Sequence, residues 1–171
     1  MKKFSIVIFI IFISSLFLTG CTNNKSEEKR PANLKKITGK VVEANLDKNG
    51  DIEINKNDIT NKVMYIDYKA SKTTVGLLAV RNSKSEVKVV VNTCQSCKGA
   101  PYAYFVQVGN KIQCQNCGSM FSIDDLDSLV EDGCNPISLE EKEELDDKII
   151  IKKEQLEKIK DDFKNWKGPK A

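Results

Sequence analysis

The 171-residue chain contains no histidine. That removes imidazole from every chemical argument: no metal is held by a ring nitrogen, and no serine or cysteine is activated by a histidine base. A strong charge of either sign is also missing. The 27 Lys and Arg residues stand against 24 Asp and Glu, a formal net charge of +3. Nucleic-acid binding needs a concentrated basic surface, so no nucleic-acid partner is expected. A membrane-spanning run is lacking as well. The apolar stretch from Phe4 to Leu18 is interrupted by Ser5, Ser14 and Ser15, and it is shorter than the ~20 residues of a spanning helix. No residue set suggests hydrolysis or group transfer, and the pair Asp124 and Asp125 sits in a polar turn where solvation accounts for it. The chain therefore reads as a binder or carrier rather than as a substrate-converting enzyme.

What is present begins with an export-like N-terminus. Met1-Lys2-Lys3 is basic, Phe4–Leu18 is apolar, and Leu18-Thr19-Gly20-Cys21 closes the segment. That tetrapeptide resembles the lipobox of bacterial lipoproteins, in which the cysteine is lipidated by palmitate-type acyl chains and becomes the mature N-terminus. The resemblance implies a signal peptide and lipobox at 1–21, lipidation at Cys21, and a chain anchored by lipid to the cell membrane on its extracytoplasmic face. An uncleaved anchor or an ordinary signal peptide is the alternative. Residues 22–33 have Ala32 as their one apolar residue and read as a flexible, solvated tether. Loss of Lys2 and Lys3 with the leader brings the net charge close to neutral. Residues 34–168 are then one domain, long enough to bury a core without cysteines to staple it.

This domain reads as α+β and mainly β: a small antiparallel sheet, a four-cysteine metal-knuckle hairpin and a C-terminal helix. Strands are expected over Ile37–Ala44, Ile52–Ile54, Val63–Tyr68, Thr73–Arg81 and Glu86–Asn92, from their apolar alternation and β-branched content. Asp47-Lys48-Asn49-Gly50-Asp51 is a hairpin tip. Asp47, Asn49 and Asp51 also fall on the first ligand positions of a calcium loop. However, that loop needs Gly where Ile52 stands and Glu where Asp58 stands, which favours the plain turn. Tyr102–Val108 and Lys111–Gln113 flank the turn Gly109-Asn110. Ser138-Leu139-Glu140-Glu141 has the form of a capping box, predicting a short helix over Leu139–Asp146. Ile149–Ile151 is a strand, and Leu156, Ile159, Phe163 and Trp166 mark a helix over Glu154–Trp166. Asp51–Ile59 and Lys148–Leu156 echo one another as strand followed by helix start, too briefly to indicate duplication.

The most informative feature is Cys94, Cys97, Cys114, Cys117 and Cys134, spaced C-x2-C-x16-C-x2-C-x16-C. The two C-x2-C pairs lie at the ends of one hairpin, whose strand ends are adjacent. Three chemistries fit. Disulfides suit an extracytoplasmic chain, yet Cys21 leaves an odd number and the C-x2-C spacing is that of knuckles. Structural zinc would be satisfied by Cys94, Cys97, Cys114 and Cys117, with Cys134 unexplained. An iron–sulfur cluster uses the same four thiolates.

The segment Cys94-Gln95-Ser96-Cys97 followed by Cys114-Gln115-Asn116-Cys117-Gly118-Ser119-Met120-Phe121 resembles a Rieske motif with its histidines replaced, which excludes a true Rieske centre. A narrower resemblance rests on Thr93-Cys94-x2-Cys97, Tyr104, Cys114-Gln-Asn-Cys117-Gly118, Phe121 and Gly133-Cys134-Asn135-Pro136-Ile137. Together these are similar to the FtrD-like membrane iron–sulfur protein domain, over roughly Asp51 to Lys167. The resemblance implies an iron–sulfur cofactor, electron transfer linked to iron uptake, and a membrane permease or redox protein as partner. It includes Cys134, whose part is open between an exchanging ligand, a neighbouring thiol, a disulfide former and a buried structural cysteine in the turn before Pro136. A zinc interaction domain or a thiolate metal chaperone or sensor is the alternative function.

Overall fold

A computed structural model describes residues 34–126 and 133–170. The first paired segments are β1 (Val41–Glu43), β2 (Asn45–Leu46) and β3 (Ile52–Asn55). The expected strand over Ile37–Ala44 is shorter than predicted, and the chain runs on from it into a second sheet. β1 runs parallel to β4 (Met64–Ala70), whereas β2 turns back antiparallel onto β3. The chain changes sheets at Ala44, whose N–H donates to Asp67 O at 2.9 Å. β4, β5 (Thr73–Arg81) and β6 (Val87–Cys94) form an antiparallel meander, and β5 has the bounds its apolar pattern predicts.

β7 (Phe105–Val108), β8 (Lys111–Cys114) and β9 (Met120–Ser122) make a separate three-stranded sheet. β10 (Pro136–Ile137) pairs with β6 and completes the order β1-β4-β5-β6-β10. β11 (Lys142–Glu144) and β12 (Lys148–Ile151) join β3 and β2 in the order β11-β12-β3-β2. The two echoing segments are thus partners, with Ile52 opposite Ile151 and Ile54 opposite Ile149.

Two helix expectations are corrected. Residues Leu139–Asp146 contain a strand, β11, because this segment has no i, i+3/i+4 apolar stripe to dock. Instead it closes a hairpin on β12 around Asp146-Asp147, where Leu145 N–H donates to Lys148 O at 2.9 Å. The C-terminal helix α1 spans Lys153–Ile159 and tightens into a 3-10 turn at Lys160–Phe163. In the turn that follows, Trp166 N–H donates to Phe163 O at 3.1 Å, and the two rings meet edge-to-face at 5.1 Å.

The central sheet is packed on both faces, which explains the nearly unbroken apolar run Val75 to Val80 in β5. Val75, Leu77 and Ala79 join Ile52, Ile54, Ile149, Ile151, Leu156 and Phe163 on one side. Leu78 and Val80 join Phe105, Ile112, Cys94 and Cys114 on the other. The cysteines therefore lie where the central sheet meets the three-stranded sheet.

Candidate metal centre

β6 ends on Cys94, whose N–H donates to Ala103 O at 2.9 Å. A 3-10 turn over Gln95–Cys97 then swings Cys97 back toward it. The second knuckle repeats this at the end of β8. Cys114 pairs with Phe105 across the hairpin, Cys114 N–H donates to Ser119 O at 2.9 Å, and Gly118 N–H returns to Cys114 O at 2.9 Å. Gly118 sits at φ +79°, the left-handed region that only glycine enters at no steric cost.

This framework gathers the Sγ atoms of Cys94, Cys97, Cys114 and Cys117 within 4.8 Å of one another. All five described cysteines are free thiols. Cys94 and Cys114 are wholly buried at 0% exposure, Cys97 is half-buried and Cys117 is exposed. The group thus has a closed, apolar back and one open edge.

The proton arrangement follows from this packing. The Cys94 thiol is hydrogen-bonded to Cys114, which together with burial raises Cys94 above the ordinary thiol value. The same bond, helped by the N–H groups of Asn116 and Cys117, draws Cys114 down to about 5. Desolvation beside the other sulfurs pushes Cys117 up to about 11, and its Sγ is bonded to the Ser119 hydroxyl at 3.4 Å. Four sulfurs, one of them drawn well below the ordinary thiol value, form a donor set suited to a soft or borderline metal ion.

Cys134 lies beside this group rather than within it. Its neighbours are clamped onto the first knuckle: Gln95 N–H donates to Asn135 O at 3.0 Å, and Ser96 Oγ donates to Gly133 O at 2.8 Å. Cys134 is exposed, and the hydroxyls of Ser119 and Ser96, followed by Cys117, hold its thiol below the ordinary value.

Sequence reasoning did not identify the supporting polar residues. Gln115 Oε1 accepts from Lys35 N–H at 2.6 Å and ties the second knuckle to the start of the domain. Asp162 O accepts from Gly99 N–H at 3.0 Å, Pro101 O accepts from Lys167 N–H at 2.9 Å, and the first knuckle is thereby tied to the C-terminal end. The only signal in the sequence was that the x positions of both C-x2-C pairs are polar. The calcium-like turn uses its own oxygens internally. Asp47 Oδ1 accepts from Asn49 and Asp51 N–H, while Asp51 binds Lys152 Nζ at 2.9 Å.

Residues 59–163 match the family model described as membrane iron-sulfur containing protein FtrD-like. The match covers more than half of the chain and all five cysteines of the site region. The chain belongs to the FtrD-like family. No curated protein and no solved structure matches it. The FtrD-like family is described as a membrane one, and among the described residues no helix is long and apolar enough to cross a membrane. Cys21, its lipobox and the tether lie outside the described residues. The family description and the four-sulfur group both fit a metal-binding, iron-related protein.

Proposed function

We propose that this FtrD-like protein is a lipid-anchored, extracytoplasmic iron–sulfur protein that carries single electrons in an iron-uptake system, delivering them to a membrane permease or redox partner. The observation that carries this reading is the gathering of four sulfurs with a buried back and an exposed edge. Iron held by thiolates supplies one-electron chemistry when bound. The chain's own residues do the rest. Cys94 and Cys114, sealed against Phe105 and Ile112, keep water from half of the site. Cys117 leaves one side open to a partner. The N–H groups of Asn116 and Cys117 stabilise negative charge on Cys114. The lipobox at Cys21 supports anchoring, with residues 22–33 as the tether.

Anaerobically purified full-length protein should contain iron and show visible absorbance that bleaches reversibly on one-electron reduction. A Cys114→Ser variant should lose the metal. Colourless protein with zinc in place of iron would overturn the electron-carrier reading in favour of a structural zinc domain, which the same sulfur spacing can accommodate.

A further inference from the structure

The geometry points to a single metal ion held by Cys94, Cys97, Cys114 and Cys117, with no bridging sulfide. This inference rests on the thiolate-metal reading above and deepens it by naming the nuclearity. Four thiolates on one tetrahedral ion, at about 2.3 Å each, lie about 3.8 Å apart. The observed sulfurs are all within 4.8 Å of one another, so each edge has at most about 1 Å of slack over that figure. In a four-iron cluster each thiolate caps its own iron, and every sulfur–sulfur edge grows by an iron–iron separation. In a two-iron cluster the four edges between the two pairs lengthen in the same sense. No two metal ions approach within 1 Å, so the slack is too small for either.

The frame also resists widening. Cys94 is fixed by its bond to Ala103 O, Cys114 by Ser119 O and Gly118 N–H, and Cys97 O by Ala100 N–H at 3.0 Å. Behind the sulfurs, Phe105 and Ile112 are fully buried and pack in one apolar cluster with Cys94 and Cys114. A single ion also accounts for Cys134 lying outside the group, because tetrahedral coordination is complete without it.

Metal and acid-labile sulfide are measured on the anaerobically purified full-length chain and on Cys134→Ser. One metal per chain and no sulfide, in both proteins, is the expected result. Two or more irons with matching sulfide would overturn the inference while leaving the iron–sulfur reading intact. One zinc without sulfide would uphold the single ion and overturn the electron-carrier function. If the metal is lost in purification, cobalt(II) titration replaces the measurement. Saturation at one equivalent with a tetrahedral thiolate spectrum supports a single ion, and saturation at two equivalents refutes it.

Discussion

Replacing Gly76 by alanine tests how the C-terminal segment is held, and through it the first knuckle. Gly76 lies in β5 opposite Asp67. A Cβ built there would sit 2.3 Å from Trp166 Cη2 and 2.7 Å from Cζ2, far inside van der Waals contact. The half-buried ring is braced by Phe163 at 5.1 Å and Tyr104 at 6.2 Å, both edge-to-face, so a slide must break those contacts. Overpacking of this kind costs about 1–3 kcal/mol. Alanine recovers part of that, because glycine in a strand interior is worse by roughly 0.5–1 kcal/mol. Complete expulsion of the half-buried ring would cost less than the ~3–5 kcal/mol of deleting a fully buried tryptophan. A net loss of about 1–2 kcal/mol follows, or a fall in Tm of roughly 2–4 °C per kcal/mol. Trp166 is the chain's one tryptophan, and its Nε1 is buried without a partner, so its emission reports the displacement by shifting to longer wavelength. In a Trp166→Ala background the same substitution becomes neutral or slightly stabilising. Unchanged Tm and unchanged emission in Gly76→Ala, or an equal loss in both backgrounds, would refute the packing argument.

Asp67→Asn is expected to raise Tm at pH 7. Burial raises the Asp67 pKa above 3.8, and Glu43, directly opposite on β1, adds to it. A raised carboxyl favours the fold below its unfolded pKa and loses that contribution as pH rises through the folded value, so the gain from asparagine should vanish in acid. A stability–pH comparison of the two proteins checks this. Metal affinity should climb with pH, because Cys94, raised, and Cys117, near 11, hold protons at neutrality that binding must release. At least two protons leave per ion, or about a hundredfold in affinity per pH unit, and calorimetry in buffers of different ionisation enthalpy counts them. Gly118→Ala, at φ +79° with open space around its Cβ, meets backbone strain alone. It should cost about 1–2 kcal/mol, read by denaturant unfolding, with asparagine milder than alanine.

The strands and the sulfur group were legible because each has a local cause. Val75–Val80 is almost wholly apolar, since both faces of β5 are covered, and the C-x2-C spacing alone sets each knuckle's reach. Elements whose partners lie far away were not legible in the same way. Ser138 to Glu141 has the local form of a helix start, yet residues 142–144 pair with β12, a choice made by an isoleucine strand that needs an edge partner. The parallel pairing of β1 with β4 likewise has no local signature. The role of Asp162 as a brace for Gly99 depends on the fold, because nothing in a polar C-terminal turn marks it as a neighbour of the cysteines.

The braces on the first knuckle have a consequence in time. A chain is made from its N-terminus, so all four grouped cysteines exist before Gly133 to Asn135 and Asp162 to Lys167, which hold the segment from Gln95 to Pro101 in place. β3 must also wait for β12, as the contact between Glu53 and Lys148 spans 95 positions. Such closure is slow, because distant segments meet only after a large loss of chain freedom. Metal captured by an unfinished chain would rest on knuckles without their supports. Final tightening of the sulfur cage thus belongs to segments made after the four cysteines themselves, Gly133 to Asn135 and Asp162 to Lys167.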